Sequence, residues 1–146
     1  MNVTAIDRDA QALITLKSDC PQITTVMADL EDGAWPLAEQ QFDLVIVTNY
    51  LWRPRFSELL ATVAPGGLLV YETFAAGQAR IGRPSRSEFL LQPGELLSLC
   101  SSLRIHGYEE GLLHEPRRCV QRIAASHGVN TAAADSTNHY LPLRAD

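Results

Sequence analysis

Residues 2–13 read NVTAIDRDAQAL, and this stretch decides the fold because it changes from strand-forming to helix-forming sequence within a few residues. Its first half is rich in β-branched residues and ends at Asp7. The apolar residues that follow recur at helical spacing and are Ala10, Leu13, Ile14 and Leu16. The stretch therefore predicts a strand over about residues 2–6, an acid at its carboxyl end, and a helix that Pro21 terminates.

Three more strands are expected before residue 75. QITTVMADL (22–30) is rich in β-branched residues, and FDLVIVTNYL (42–51) contains an unbroken apolar run that is typical of a strand buried on both faces. RFSELLATVA (55–64) has the spacing of an amphipathic helix, PGG (65–67) predicts a turn, and LLVYETF (68–74) predicts a fourth strand. This alternation indicates an α/β fold with a mostly parallel sheet and flanking helices.

The second half of the chain is organised differently. AAGQARIGRPSRSEFLLQ (75–92) has no periodicity and is long enough to act as a lid. PGELLSLCSSL (93–103) predicts a helix that starts at Pro93, and two β-type segments, 104–113 and 117–127, are close enough to form an antiparallel hairpin. The domain is expected to span residues 1–126, with residues 127–146 as a disordered tail.

Composition narrows the class of protein. The chain of 146 residues carries a net charge of −5, so a generally basic nucleic-acid surface is not indicated. It has no apolar run of about 18 residues and no signal peptide, which predicts a cytoplasmic protein without a membrane segment. Its three cysteines and four histidines lack the spacing of metal ligands, so no metal is expected.

These residues resemble the class I, Rossmann-like methyltransferases that use S-adenosylmethionine, from the start of the chain to about residue 126. The resemblance rests on VTAID, on MADLED, on FDLVIVTNYL and APGGLLVYETF, and on the closing helix and hairpin. TNYLWRP and the stretch from YETF to PGEL look like a tellurite-resistance-type bacterial subgroup. The resemblance implies methyl transfer from S-adenosylmethionine to an unidentified small molecule.

It also implies a cofactor site built from the first two strand ends. Asp7, with Arg8 beside it, matches the acid that binds the ribose hydroxyls, although an Asp here also fits a helix N-cap. Asp29 and Leu30 match the residues beside the adenine, although DLEDG also fits a solvated acidic loop. Asn49 follows the next strand along the chain, and it is expected to contact both the cofactor and the methyl acceptor.

On the acceptor side, Asn49 and Tyr50 are the candidate catalytic residues together with Glu72. Tyr50 and Trp52 also fit residues that simply pack under the lid, and Glu72 fits a structural hydrogen bond as well as a base. No catalytic triad is expected, because the sulfonium is already activated and the enzyme mainly aligns the reactants. The loop carries three arginines, Arg80, Arg83 and Arg86. They could bind an anionic substrate, but the favoured interpretation is that their side chains are simply solvated.

The resemblance leaves one strand unaccounted for. In the family order 3-2-1-4-5-7-6 the first strand and its glycine-rich loop precede the residue that is Met1 here, so the strands at 2–6 and 43–47 are expected to lose their partners. They could pair directly, accept a strand from a second copy in a homodimer, or leave the gap open. Without the loop, binding of S-adenosylmethionine is expected to be weak.

Two other functions stay open. One is a methyltransferase-like domain without catalysis, which acts as an interaction module or is a remnant. The other is a nicotinamide-dependent oxidoreductase, because Rossmann enzymes also place an acid after their second strand. The terminal hairpin favours the methyltransferase over the oxidoreductase.

Overall fold

The computed structural model of the chain describes residues 2–128. The strands are β1 (Thr4–Asp7), β2 (Thr24–Met27), β3 (Phe42–Thr48), β4 (Val63–Phe74), β5 (Arg104–His114) and β6 (Arg117–Ser126). The α-helices are α1 (Ala10–Asp19), α2 (Phe56–Ala61) and α3 (Glu95–Leu99), and short 3₁₀ turns cover Arg53–Arg55, Ala76–Arg80 and Ser87–Phe89. No helix within residues 2–128 is long and apolar enough to cross a membrane.

The strands form two separate sheets. β1 and β2 pair in parallel, with Thr4 opposite Thr24 and Asp7 opposite Met27. The second sheet has the order β3-β4-β6-β5, in which β3 and β4 are parallel and the other two pairings are antiparallel. The second sheet is thus mixed. Over the described residues, β1 does not pair directly with β3. Of the three outcomes considered above, direct pairing is wrong for this part of the chain.

The C-terminal hairpin is confirmed. β5 and β6 pair from Arg104 opposite Ser126 to His114 opposite Arg117, as the two β-type segments predicted. β6 also pairs with β4, which places it between β4 and β5. The hairpin therefore completes the second sheet and supplies half of its strands.

The core lies on one face of this second sheet. Its buried residues come from α2, α3, the two strands β4 and β6, and the connecting loops: Leu51, Phe56, Leu59, Val63, Leu69, Tyr71, Leu91, Leu96, Cys100, Leu103, Ile123 and Ala125. The rings of Phe56 and Tyr71 are tilted against each other with centroids 5.5 Å apart, a favourable aromatic geometry. Burial raises the pKa of the Cys100 thiol to about 11, which makes this cysteine an inert core residue.

The opposite face of the sheet is uncovered, which contradicts the expectation that β3 is buried on both sides. Leu44 and Ile46 are 43% and 65% exposed, and Val70, opposite Ile46 on β4, is 38% exposed. Val45 and Val47, which alternate with Leu44 and Ile46 along β3, pack against the core. The apolar run was predictive of a strand, but no helix in residues 2–128 covers its second face.

The N-cap of helix α1 is two residues later than Asp7, the N-cap candidate in the sequence. Asp9 is its N-cap, since the Asp9 carboxylate accepts hydrogen bonds from the N–H groups of Gln11 and Ala12. Asp7 instead accepts the Asp9 N–H at 2.9 Å, so the N-cap interpretation of Asp7 is wrong. Leu13 is buried as the helical spacing predicts, whereas Ile14 is 61% exposed.

The turn before β4 differs from the expected boundaries. α2 is only six residues long, and β4 starts at Val63 rather than at Leu68, because Val63 already pairs with Phe42. Gly66 has φ of +80°, a left-handed conformation that glycine adopts far more readily than other residues. The predicted glycine turn is therefore part of the strand and its register shift.

Gly67→Ala is expected to destabilise the protein by about 1 to 3 kcal/mol, the usual cost of overpacking. A Cβ at Gly67 would lie 2.9 Å from the carbonyl oxygens of Ala64 and Phe42, and these are backbone atoms that cannot move aside cheaply. Urea denaturation measures the loss. Gly111→Ala is the matched control, because nothing lies within 4 Å of a Cβ there, and an equal loss in both variants would contradict the steric account.

The segment after β4 is a folded loop. Its ends are joined by the Ala75–Leu91 bridge, and the Leu91 N–H donates to the Phe74 carbonyl at 2.9 Å. Buried Gln78 donates to the Arg83 carbonyl at 2.9 Å and accepts the Cys119 N–H at 3.0 Å. The loop predicted as a lid is thus anchored to β4 and β6 at its base.

The predicted tail begins where the description of the chain ends. The His127 N–H donates to the Gly67 carbonyl at 2.9 Å, and the His127 carbonyl accepts the Gly66 N–H at 3.0 Å, so this residue continues the β6 edge. Disorder is predicted for residues 127–146, and residues 129–146 of this tail lie outside the described residues.

Candidate functional site

The predicted cofactor residues lie at the carboxyl ends of β1 and β2. Asp7 is the last residue of β1 and is exposed, and Arg8 follows it in a bend and is exposed as well. Asp29 lies two residues beyond β2, and its carboxylate accepts the Glu31 N–H at 2.8 Å. Since β1 and β2 are parallel and Asp7 pairs with Met27, both acids lie at the same edge of the first sheet.

Each of these carboxylates uses one oxygen for its own loop. Asp7 Oδ1 accepts the Asp9 N–H, and Asp29 Oδ1 accepts the Glu31 N–H. Within the described residues, no donor is recorded for the second oxygen of either side chain. The two acids are therefore oriented by local turns while keeping an acceptor atom for a ligand.

Asn49 and Tyr50 follow β3, at the carboxyl end of the second sheet. Asn49 is exposed and adopts φ of +55°, a left-handed conformation that Asn tolerates better than most residues. Its N–H still donates to the Glu72 carbonyl at 3.0 Å, so the chain reverses sharply right after its last ladder bond. The positive φ turns the chain so that Tyr50 can reach the loop that follows β2.

Tyr50 joins the two sheets at this edge. Its hydroxyl donates to the Leu30 carbonyl at 3.2 Å, and its own carbonyl accepts a hydrogen bond from the Tyr71 hydroxyl. Burial, and then the negative charge of Glu31, raise the pKa of Tyr50 to about 12. Tyr50 is thus a neutral hydrogen-bond donor near pH 7 and is held in place at both ends.

Glu72 lies at the end of β4 with both carboxylate oxygens engaged. One oxygen is 2.9 Å from Arg118 Nη2 and the other is 2.5 Å from Arg122 Nε, and Arg122 also contacts Glu109 across the hairpin at 3.5 Å. The Glu72 side chain is 20% exposed, so these ion pairs are partly shielded from water. The contacts correspond to the structural reading of Glu72 rather than to a free base.

The structure brings Asn49, Tyr50 and Glu72 to one edge, but the loop arginines are dispersed. Arg80 and Arg83 are exposed, while Arg86 pairs with Glu88 at 2.6 Å and stacks on Phe89 at 5.6 Å. Trp52 is half-buried and starts the 3₁₀ turn that leads into α2. No group of three or more metal-ligating side chains occurs in the part of the chain that the structure describes.

Three residues at this edge were missed by sequence reasoning: Arg53, Arg55 and Glu95. Arg53 Nε lies 2.5 Å from Glu95 Oε1, and Arg55 donates to the Gly33 carbonyl. Arg53 and Glu95 are separated by 42 residues, so no local spacing reveals the pair. The local contact is a hydrogen bond from the Gln92 N–H to the Glu95 carboxylate at 2.7 Å. Glu95 is the first residue of α3, after the N-cap Gly94, so it is not the third-position acid of a capping box and no sequence signal marks it.

Two open grooves on the surface lie away from these residues. One, with a volume of about 380 Å³, lies between α1 and β2 and is lined by Ala10, Leu13, Ile14, Lys17, Thr25 and Met27. The other, of about 300 Å³, is lined by residues of the β2–β3 connection and α2, among them Trp35 and Glu58. Neither groove is lined by the two acids or by Asn49.

Comparison with known proteins supports the fold. No family model matches the chain, and no curated protein matches it. Among solved structures, TehB from Haemophilus influenzae is similar, with a TM-score of 0.65 and 18% identity over 86% of this chain and 50% of that protein. The chain therefore spans about half the length of this relative.

Two further structures are similar over a larger share of their own length. The N-methyltransferase NodS from Bradyrhizobium japonicum, in complex with S-adenosyl-l-homocysteine, gives a TM-score of 0.62 at 15% identity over 85% of this chain and 66% of NodS. An S-adenosylmethionine-dependent methyltransferase from Mesorhizobium loti gives 0.63 at 18% identity, over 85% and 79%. At these identities the likeness is one of fold. The chain thus has an α/β methyltransferase-like fold with a mixed sheet and a C-terminal antiparallel hairpin.

Proposed function

We propose that the chain binds the nucleoside of S-adenosylmethionine at the carboxyl ends of β1 and β2 and serves methyl transfer to a small molecule. The observation that carries this proposal is the pair of acids, Asp7 and Asp29, which lie at the carboxyl ends of adjacent parallel strands and each keep one oxygen for a ligand. Carboxylates in this position can accept ribose hydroxyls and an adenine amino group. Arg8 and Leu30 are the neighbours expected to flank the nucleoside.

The residues present fit one half of the cofactor better than the other. The acids and the apolar Leu30 side chain suit an adenosine moiety. The methionine half needs donors such as a helix N-terminus or a glycine-rich turn. α1, the helix that follows Asp7, has its N-terminal N–H groups engaged by Asp9. Weak affinity is therefore expected for this chain.

On the acceptor side, the proposed roles follow from the hydrogen bonds. When bound, S-adenosylmethionine supplies a methyl group that is already activated for transfer, so the protein needs mainly to align the acceptor. The exposed Asn49 amide is available to orient a polar acceptor. Tyr50 holds the loop through its hydroxyl and does not take a proton, since its pKa is near 12. Glu72 maintains the sheet edge through Arg118 and Arg122.

The alternatives rest on weaker observations. A domain without catalysis would be consistent with the engaged Glu72 and the exposed sheet face, and it stays the second candidate. A nicotinamide-dependent oxidoreductase is disfavoured by the antiparallel hairpin that closes the sheet. The link to the tellurite-resistance-type subgroup, and any acceptor chemistry that goes with it, rests on the sequence resemblance alone.

Equilibrium binding of labelled S-adenosylmethionine tests the proposal. We expect a dissociation constant weaker than about 100 μM for the wild-type chain, because only the nucleoside half is held. Asp7→Ala should weaken binding by about tenfold or more, which corresponds to about 1.5 to 3 kcal/mol for hydrogen bonds to a charged group. Asp19→Ala, in an acid that is also exposed but lies at the far end of α1, should leave binding unchanged. Equal affinity for wild type and a folded Asp7→Ala variant would refute the ribose role.

A further inference from the structure

Residues 49–55 contact three other segments at the carboxyl edge of the sheets. On the side of the predicted nucleoside, the Tyr50 hydroxyl donates to the Leu30 carbonyl, and the Arg55 guanidinium donates to the Gly33 carbonyl. On the side of β4, the Tyr71 hydroxyl donates to the Tyr50 carbonyl. The loop that follows β2 is therefore attached to this segment by two hydrogen bonds from side chains 20 or more residues away.

Arg53 makes the contacts on the other side. Its guanidinium forms a two-pronged ion pair with Glu95, with Nε to Oε1 at 2.5 Å and Nη2 to Oε2 at 2.9 Å. The same group donates to the carbonyls of Glu88 at 2.8 Å and Leu90 at 2.9 Å. One side chain thus connects β3 to α3 and to the end of the 75–92 loop.

This arrangement is stronger than an ordinary surface ion pair. The Arg53 and Glu95 side chains are 35% and 19% exposed, whereas the Arg86 and Glu88 pair in the same loop is 73% and 43% exposed. The hydrogen bonds with Arg53 hold the pKa of the Glu95 carboxyl below its ordinary value. The planar guanidinium matches the carboxylate in a way that an ammonium cannot.

We propose that Arg53 is a positioning residue that couples the 75–92 loop on the acceptor side to the 28–33 loop on the nucleoside side. The proposal rests on the function proposed above and adds an order of binding to it. A nucleoside that orders residues 28–33 also orders the 75–92 loop over the acceptor. Binding of the nucleoside before the acceptor is therefore favoured. The physical link is the run of hydrogen bonds from Leu30 and Gly33, through residues 50–55, to Glu88, Leu90 and Glu95.

Hydrogen exchange of the amides, followed by mass spectrometry, tests the coupling without a ligand. Arg53→Lys keeps the charge but loses the two-pronged geometry. We expect it to raise exchange at least tenfold in residues 86–91 and at least threefold in residues 28–33. Arg86→Lys, in the exposed pair of the same loop, should leave exchange in residues 28–33 unchanged.

An Arg53→Lys effect confined to residues 86–95 would overturn the coupling and leave Arg53 as a loop anchor. If that variant loses protection across β4 and β6 as well, it has unfolded globally. Amide exchange is then measured in Arg55→Lys instead. That second substitution acts from the nucleoside side, so the coupling predicts faster exchange in residues 86–91, and unchanged exchange there would overturn it.

Amide exchange with and without S-adenosyl-l-homocysteine is the second test of the coupling. In wild type it should slow exchange in residues 28–33 and also in residues 86–91, whereas in Arg53→Lys only residues 28–33 should respond. Protection confined to residues 28–33 in wild type would contradict the coupling. Absence of any protection in wild type would count against the proposed function, and the coupling would then be decided by the two arginine variants alone.

Discussion

Gln121→Leu is expected to destabilise the protein by about 2 to 4 kcal/mol. Gln121 is completely buried on β6, where its Oε1 accepts the Leu96 N–H at 3.0 Å and its Nε2 donates to the Gln92 carbonyl at 2.6 Å. Leucine would leave the Leu96 N–H without a partner, and an unsatisfied buried group costs about 1 to 3 kcal/mol. It would also remove one of the two hydrogen bonds to the Gln92 carbonyl, which keeps the Glu95 N–H at 2.9 Å. The Gln92 carbonyl is closer to solvent, so the sum falls below the upper limit.

The same substitution should also disturb the candidate site, because Gln121 attaches α3 to the sheet and α3 carries Glu95. Guanidinium denaturation measures the stability, and exchange in residues 86–91 measures the effect on the loop. Gln41→Leu is the control, since Gln41 is exposed and makes only one 3.4 Å hydrogen bond to the Ala61 carbonyl. A loss of stability as small as in the control would mean that water replaces both hydrogen bonds.

The polypeptide of residues 1–146 is expected to self-associate through the open edge of β3, which is the second large effect. Leu44 and Ile46 expose apolar surface on β3, whose outer edge pairs with no other strand of residues 2–128, a combination that favours strand pairing between molecules. Sedimentation should detect dimers or larger species at micromolar concentration. A homodimer of this kind was one of the outcomes considered for the sheet.

Ile46→Lys should weaken this association about tenfold or more, because a charge on an edge strand opposes pairing with a second copy. Ser98→Lys introduces the same charge on the exposed side of α3 and should have little effect. A wild-type monomer with slow amide exchange in both β1 and β3 would contradict the expectation, since it would mean that the two open edges carry no cost.

The sequence was most informative where a local pattern has a single structural solution. The hairpin of β5 and β6 follows from two β-type segments joined by a short turn, and β3 follows from its apolar run. The run could not reveal that Leu44 and Ile46 are exposed, because apolar sequence indicates what a residue prefers and not which neighbours are present. Likewise, residue spacing on α1 grouped Ile14 with Leu13, although only Leu13 is buried.

Long-range polar contacts were the least predictable part of the site. Strand ends placed Asp7 and Asp29 at a common edge, because parallel strands bring their carboxyl ends together. Arg53 and Glu95 come together only after β4 and the 75–92 loop have folded, and Glu72 is occupied by arginines that lie 46 and 50 residues away in the sequence. Such pairs depend on tertiary register, which no local rule supplies.

Amide chemical-shift mapping with adenosine tests the central claim most directly, because it locates the nucleoside as well as detecting it. We expect the perturbed amides to be those of Asp7, Arg8, Asp29, Leu30 and Asn49, with S-adenosyl-l-homocysteine shifting the same set at similar concentration. Shifts confined to the groove between α1 and β2, or none at millimolar adenosine, would contradict a nucleoside site at the carboxyl ends of β1 and β2.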